Sequence, residues 1–188
     1  MTLGSGGRCE MQSAISSERL VYRPLKQEEW PFFLALHQYR KLMAYIAAPR
    51  DEEEIRSASF DTRLLPWRKG EAHWLCLIIE QKGCQTPLGV TGFIERNPDI
   101  AEVGFILAAH HQRKGYGAES LNAIMRFAFN SLGYRKLTAT ATAGNIAPQR
   151  LLLKSKFRQE GVIRQNYYLN GEWQDDWGFG LLADEYHS

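Results

Sequence analysis

The chain has 188 residues, 44% of them hydrophobic, with 23 basic and 21 acidic side chains and a net charge of +2 at pH 7. A chain of this length forms one domain of ordinary size that can bury a proper core. Its balanced charge argues against direct nucleic-acid binding. No apolar run approaches the length of a membrane span, so we expect no membrane partner.

The first residues and the cysteines indicate the compartment. Residues 1–15 have no apolar core of a secretory signal and are predicted to be a flexible leader that an expression vector could have contributed, followed by one domain over residues 16–188. The three cysteines, Cys9, Cys76 and Cys84, lack metal or disulfide spacing. These features predict a reducing, cytoplasmic location and no metal site.

The N-terminal half alternates between helix and strand patterns. Apolar residues at helical spacing predict a helix over residues 28–45 and a second helix over residues 52–67 that Pro66 ends. Alternating or continuous apolar runs predict strands over residues 20–25, 74–80 and 88–95.

The C-terminal half predicts a strand–helix–strand unit. A strand over residues 101–107, a helix over 118–132 and a strand over 136–142 form a right-handed crossover with parallel neighbours. Asn170-Gly171 between apolar runs predicts a type I′ hairpin. Together these elements predict an α/β fold, with a mixed sheet of about seven strands and helices on both faces.

The loop between that strand and helix, Gln112-Arg113-Lys114-Gly115-Tyr116-Gly117-Ala118, is the most informative segment of the chain. A glycine-bearing turn into a helix leaves backbone N–H groups unpaired, and the helix dipole adds partial positive charge. Arg113 and Lys114 add full charges beside them. The loop therefore predicts a pyrophosphate cradle.

Other phosphate loops match this segment poorly. The dinucleotide fingerprint requires a glycine where the chain has Ser120, and the ATP-type loop requires a final G-K-[ST]. A nucleotide-dependent oxidoreductase is therefore disfavoured. The pattern Q-x-x-G-x-G remains, and its simplest alternative explanation is a glycine-rich helix start without a ligand.

This pattern resembles the acyl-CoA loop of the GNAT superfamily of N-acetyltransferases. The order that follows, with Asn145, Phe157 and the segment 167–173, resembles its RimJ/RimL-like branch, and the resemblance covers residues 16–186. It implies the GNAT acyl-CoA N-acyltransferase fold with acetyl-CoA as cosubstrate. It also implies direct attack by a primary amine in a ternary complex. The acceptor would be a protein N-terminal amine, such as that of a ribosomal protein, or a small amine. The resemblance leaves room for a homodimer.

The resemblance also assigns cofactor-binding positions. The backbone of one splayed strand would pair with the pantetheine arm, and the N–H of Leu107 would donate to the oxyanion. Asn145 would cap the following helix and also bond the arm. The positions implied to contact the cofactor are Phe105, Ile106, Leu107, Gln112, Arg113, Lys114, Gly115, Tyr116, Gly117, Ala118 and Asn145.

Glu102 is the candidate general base. It lies on the strand where histone-type relatives carry a catalytic glutamate, and a partly buried carboxylate could take a proton from the acceptor ammonium. The alternative is an ordinary strand charge, in which case Glu95 is the next candidate.

The usual leaving-group acids of the family are missing. Leu152 stands where many relatives have a tyrosine, and Pro148 stands where RimL-like relatives have a serine. Either the thiolate leaves without a protein acid, because a thiol is a good leaving group, or the chain is a noncatalytic acyl-CoA-binding regulatory module.

The acceptor side is predicted from aromatic and acidic residues. Trp67, Tyr167, Tyr168 and Trp173 could line it, although such residues are often core or rim. Asp175 and Asp176 could attract a cationic amine or be plain surface charges.

Overall fold

A computed structural model describes residues 15–169 and 171–187. Most of the predicted leader, together with Asn170 and Ser188, lies outside the described residues. Ile15, assigned to the leader, is buried in the core at 4% exposure. The chain forms one seven-stranded sheet in the order β1-β2-β3-β4-β5-β7-β6. The strands are β1 (Leu20–Pro24), β2 (Leu75–Gln81), β3 (Pro87–Asn97), β4 (Ile100–Leu107), β5 (Lys136–Thr142), β6 (Arg158–Leu169) and β7 (Glu172–Leu182).

One pair of neighbouring strands is parallel. β4 and β5 pair in parallel from Ile100↔Lys136 to Glu102↔Thr138, and all other strand pairs of the sheet are antiparallel. Beyond Glu102, β4 continues to Leu107 without pairing with β5. The two strands therefore separate towards their carboxyl ends and open a gap in the middle of the sheet.

The predicted helix over residues 28–45 is broken in the structure. A 3-10 turn at Gln27–Glu29 leads into α1 (Trp30–Gln38), and α2 (Arg40–Met43) follows after Tyr39, whose backbone is extended. No glycine or proline marks this break. The segment after α2 instead makes long-range contacts, since the carbonyls of Tyr45 and Ile46 accept from Thr142 and Tyr167.

The second predicted helix begins as expected and ends early. Asp51 caps α3 (Glu52–Ile55) by accepting from the Glu54 N–H at 2.8 Å. The helix continues through a π-helical stretch, Arg56–Phe60, and ends with Asp61–Arg63. It stops before Trp67 because Pro66 disfavours helical backbone at the residue before it.

Two hydrophobic cores lie on opposite faces of the sheet. Phe33, Ile55 and Phe60 of α1 and α3 pack with Cys76 and Ile78 of β2 in one core. The other core contains α4 (Tyr116–Arg126), its π-helical extension Phe127–Ser131, and α5 (Ile146–Lys154). The predicted placement of helices on both faces is confirmed, and α6 (Ala183–His187) ends the described chain.

A bulge shapes the hairpin of β6 and β7. The register shifts between Ile163 and Tyr167, and Gln165 has a φ of 47°. Asp175 accepts from the Gln165 N–H and Asp176 from the Asn166 side chain, both at 2.8 Å. The two strands pair up to Leu169↔Glu172, which confirms the hairpin, while Asn170 of its predicted turn lies outside the described residues.

Candidate active site

A cleft of about 720 Å³ opens where β4 and β5 separate. Gly104, Phe105 and Ile106 line it from β4, and Ala139, Thr140 and Ala141 line it from β5. From this gap the cleft extends beneath α1, α2 and α3 on one face of the sheet. The part of the cleft lined by Phe33, His37, Arg50, Ser59 and Arg63 is called the acceptor chamber below.

The β4 backbone presents free donors to the gap. Ala108 donates its N–H to the Leu88 carbonyl at 2.9 Å, on the β3 side. Because backbone directions alternate along a strand, the N–H groups of Phe105 and Leu107 point away from β3, towards the gap. The backbone of Ile106 faces β3, so this residue reaches the cleft with its side chain.

The loop from Gln112 to Ala118 has the geometry of an anion cradle. Gly115 is the N-cap of α4 with a φ of 82°, and Arg113 also has a positive φ of 60°. In the part of the chain that the structure describes, the backbone amides of residues 113–118 have no hydrogen-bond acceptor. They lie at the N-terminus of a helix, where backbone donors and the dipole favour an anion.

Side chains hold this loop in place. The Gln112 amide donates to the Leu107 carbonyl at 3.2 Å, which ties the loop to the end of β4. Arg19 donates to the Lys114 carbonyl at 3.0 Å and to Glu119 at 2.7 Å, and it lies over the Tyr116 ring. Burial alone would raise the pKa of Glu119, but hydrogen bonds from Arg19 and Ser17 lower it. The Glu119 carboxylate thus holds Arg19 in place, and Arg19 in turn holds the loop through the Lys114 carbonyl.

Two predicted cofactor contacts take a different form in the structure. The Tyr116 side chain is buried in the core, so only its backbone N–H remains available in the cradle. Asn145 is positioned as the N-cap of α5 and lines the cleft, but its side chain makes no capping hydrogen bond. The predicted N-cap position is therefore confirmed without its capping hydrogen bond, and the contact with a pantetheine arm stays a prediction.

Glu102 lines the cleft from β4 with a side chain that is 21% exposed. Its Oε2 accepts from Arg96 Nε at 2.6 Å. Glu95, the second candidate, accepts from the Tyr134 hydroxyl and the Gly70 N–H outside the cleft. Of the two carboxylates, Glu102 alone faces the cleft, and its role as base stays a prediction.

Leu152 and Pro148 both line the cleft and offer no proton. Hydroxyl groups reach the same cleft from other elements. Thr142 and Tyr167 already donate to the carbonyls of Tyr45 and Ile46, at 2.8 and 2.9 Å. The sulfur of a bound thioester would therefore meet mostly apolar surroundings at α5.

The aromatic residues predicted for the acceptor side divide into two groups. Tyr167 and Tyr168 line the cleft because the β6 bulge redirects the strand. Trp67 packs edge-on against Phe93 in the core, and Trp173 is an exposed partner of Tyr168. Asp176 lines the cleft and is buried, while Asp175 braces the bulge.

Several lining residues were missed from the sequence. Trp74 covers Gly104, so that a Cβ at Gly104 would lie 3.1 Å from its ring. His37, Arg50 and Arg63 come from α1, the segment after α2, and α3. No sequence motif marks these residues, because they meet only through tertiary packing.

Two negative findings concern the same described residues. Within 15–169 and 171–187, no helix is long and apolar enough to cross a membrane. The same residues contain no group of three or more His, Cys, Asp or Glu side chains arranged to hold a metal ion. Cys76 is 7% exposed, and burial raises the pKa of its thiol to about 12, as expected for a core residue.

Sequence comparisons agree with this architecture. Residues 19–158 match the model of the Acetyltransferase (GNAT) domain family. The uncharacterized N-acetyltransferase YoaA of Bacillus subtilis is 34% identical over 159 residues, which cover 84% of this chain and 89% of YoaA. The spermidine N(1)-acetyltransferase of Vibrio cholerae is 27% identical over 101 residues, 53% of this chain and 58% of that protein.

Solved structures share the fold. An acetyltransferase (GNAT family) from Bacillus anthracis superposes with a TM-score of 0.77 at 21% identity, covering 91% of this chain and 99% of that one. Spermidine N-acetyltransferase from Vibrio cholerae, in complex with CoA and spermine, gives 0.77 at 22% identity, covering 90% and 99%. The chain therefore belongs to the GNAT family of acetyltransferases and is an N-acetyltransferase.

Proposed function

We propose that the protein transfers an acetyl group from acetyl-CoA to a primary amine by direct attack in a ternary complex. The observation that carries this proposal is the continuity of the site. The amides of residues 113–118 are unpartnered, and a Cβ at Gly117 in this loop would lie 3.6 Å from Leu107 and 3.7 Å from Phe105 of β4. The gap between β4 and β5 in turn opens into the acceptor chamber. Acetyl-CoA fits this arrangement, with its pyrophosphate at the cradle, its thioester arm in the gap and its acetyl group facing the acceptor chamber.

In this proposal each residue has a defined task. The cradle binds the pyrophosphate, and the N–H groups of Phe105 and Leu107 hold the arm and the developing oxyanion. Glu102 takes a proton from the acceptor ammonium, directly or through water. The amine nitrogen bonds to the thioester carbon and releases its second proton to water, the carbon–sulfur bond breaks, and the thiolate takes a proton from water.

The finer assignment is also part of the proposal. We infer a RimJ/RimL-like enzyme whose acceptor is a small amine or a protein N-terminal amine, including that of a ribosomal protein. Similarity to a spermidine acetyltransferase supports an amine acceptor. Free thiols at Cys76 and Cys84 support a cytoplasmic location. The exposed Val162 and Ile163 on the edge strand β6 support a homodimer, which sedimentation would detect.

Thiol release from acetyl-CoA tests the proposal. Each amine and N-terminal peptide of a panel is added to the parent protein and to a Gly115→Glu variant. Amine-dependent release by the parent, absent in the variant, is the expected result. If the parent binds acetyl-CoA and no amine accelerates release, the noncatalytic acyl-CoA-binding alternative replaces the proposal.

A further inference from the structure

Two arginines in the acceptor chamber distinguish it from the rest of the molecule. Arg50 and Arg63 both line the chamber. Arg50 Nη1 donates to Ser59 Oγ at 2.9 Å, and Arg63 Nη1 donates to the Ser59 carbonyl at 2.7 Å. Because both bonds end on one residue, the two guanidiniums lie close together.

Neither guanidinium has a counter-charge. Among residues 15–169 and 171–187, neither Arg50 nor Arg63 forms an ion pair. Arg23, another partly buried arginine, by contrast pairs with Glu29 and Glu80. Two neighbouring, partly buried cations without an anion reduce stability, so their placement requires an explanation.

Burial and the proximity of the two guanidiniums also change the pKa values of the groups in the chamber. Burial lowers the pKa of Arg63, and the nearby Arg50 lowers it further. Burial and the same two guanidiniums lower the pKa of His37 to about 4, so its ring is neutral near pH 7. His37 Nδ1 lies 2.8 Å from the Phe33 carbonyl. As a neutral ring it donates there and adds no positive charge to the chamber.

Arg63 is held next to the strand that carries Glu102. Its guanidinium lies over the rings of Phe33 and Trp74, at 5.9 and 5.8 Å from their centroids. Trp74 in turn covers Gly104, two residues after Glu102 on β4. One aromatic ring therefore separates the arginines from the strand that faces the reacting amine.

We propose that the acceptor amine also carries a carboxylate, which Arg50 and Arg63 bind in the acceptor chamber while the amine faces Glu102. Guanidiniums present several N–H donors in a planar fork that matches a carboxylate. The acceptor is then a free amino acid or a peptide with an acidic first residue, and a polyamine is disfavoured because the arginines repel it. This inference rests on the proposed acetyl transfer to an amine.

Matched acceptors test the carboxylate. γ-Aminobutyrate is compared with its amide, Asp-Ala-amide with Asn-Ala-amide, and spermidine is included as a polycation. For each acceptor, kcat/KM is calculated from the concentration of its neutral amine form, so that differences in amine pKa do not affect the comparison. We expect a preference of at least about tenfold for the acid, since hydrogen bonds to charged groups are the stronger ones. The two pairs distinguish a small amino acid from an acidic N-terminus.

Variants assign the preference to the two arginines. In Arg50→Gln, Arg63→Gln and the double variant, the ratio of kcat/KM for the acid to kcat/KM for the amide should fall towards unity. Arg56→Gln is the matched control, because Arg56 lies on the same helical segment outside the cleft. If Arg63→Gln fails to fold, Arg50→Gln still carries the test, and Arg50→Lys should keep part of the preference.

The outcomes separate this inference from the proposed function. Equal use of acid and amide, a preference for spermidine, or an acid preference that survives the double variant would each overturn the carboxylate inference and leave amine acetylation standing. Acetyl-CoA binding without release by any amine would overturn the proposed function, and the inference with it.

Discussion

The proposed cofactor end of the site, which is the cradle, and its acceptor end, which is the acceptor chamber, are built differently. The cofactor end presents backbone amides from a short, continuous loop, and its bracing charges are neutralised, as Arg19 and Glu119 show. The acceptor end presents side chains from separate segments and keeps two cations, Arg50 and Arg63, that form no ion pair with any described residue. In the proposed function, the backbone cradle would bind the pyrophosphate that every acyl-CoA shares, and the side chains of the acceptor end would select among acceptors.

The largest expected effect is a loss of CoA affinity from a substitution in the cradle. Gly115→Glu places a negative side chain in the cradle at a φ of 82°, where a Cβ would lie 3.1 Å from Arg19. We expect CoA affinity to fall by at least about 100-fold, because the anion site loses its geometry and gains a repelling charge. Isothermal titration calorimetry measures the change.

Two controls separate charge from strain in that experiment. Gly133→Glu introduces the same residue at a φ of 67° with no atom within 4 Å, and CoA affinity should be unchanged. Gly117→Ala adds a methyl group 3.5 Å from Leu151, an ordinary contact, and should be tolerated by the fold. Unchanged CoA affinity in a folded Gly115→Glu protein would contradict the cradle.

The second prediction concerns Glu102, the candidate general base on β4. Glu102→Gln should lower turnover about 10²-fold or more, the usual effect of losing a general base, with CoA binding nearly intact. Arg96→Gln is the control, because it removes the same 2.6 Å ion pair and keeps the carboxylate. If both variants lose the same rate, Glu102 acts through its ion pair, and the assignment as base is wrong.

A smaller effect is expected from the hydroxyls near the leaving group. With Leu152 and Pro148 in the cleft, Tyr167→Phe and Tyr168→Phe should each change turnover by less than about tenfold, below the usual contribution of a general acid. Leu152→Tyr should gain little, since Leu152 is buried and a larger ring overpacks its site. Loss of turnover in Tyr167→Phe with CoA still bound would identify Tyr167 as the acid.

The last prediction is a pH dependence of folding stability that arises at the acceptor end. His37 has a pKa lowered from 6.5 to about 4, so the unfolded chain binds its proton first as pH falls. Stability from this group is fully present above pH 6.5 and is lost towards pH 4, by at most about 1.4 kcal/mol per pH unit. The free energy of unfolding, measured with urea at several pH values between 6.5 and 4, should fall less steeply with pH in His37→Asn than in the parent. An equal dependence on pH in the two proteins would contradict the lowered pKa of His37.

Local patterns predicted most of the fold. The alternation of β1, the continuous apolar runs of β2 and β3 and the two-residue hairpin of β6 and β7 all match their strands. The break at Tyr39 escaped prediction because no breaker residue marks it. Its cause is remote, since Thr142 and Tyr167 bind the carbonyls of Tyr45 and Ile46.

By itself, the sequence predicted the anion cradle that we propose as the cofactor end. A glycine at a helix start leaves amides free wherever it occurs, so the loop around Gly115 could be identified without the fold. Only the tertiary structure decided the acceptor end. Arg50, Arg63 and His37 lie on three different segments, and nothing in their spacing shows that they share a chamber or lack counter-charges. Side-chain pairing depends on what long-range packing brings together, whereas backbone donors are a local property of the chain.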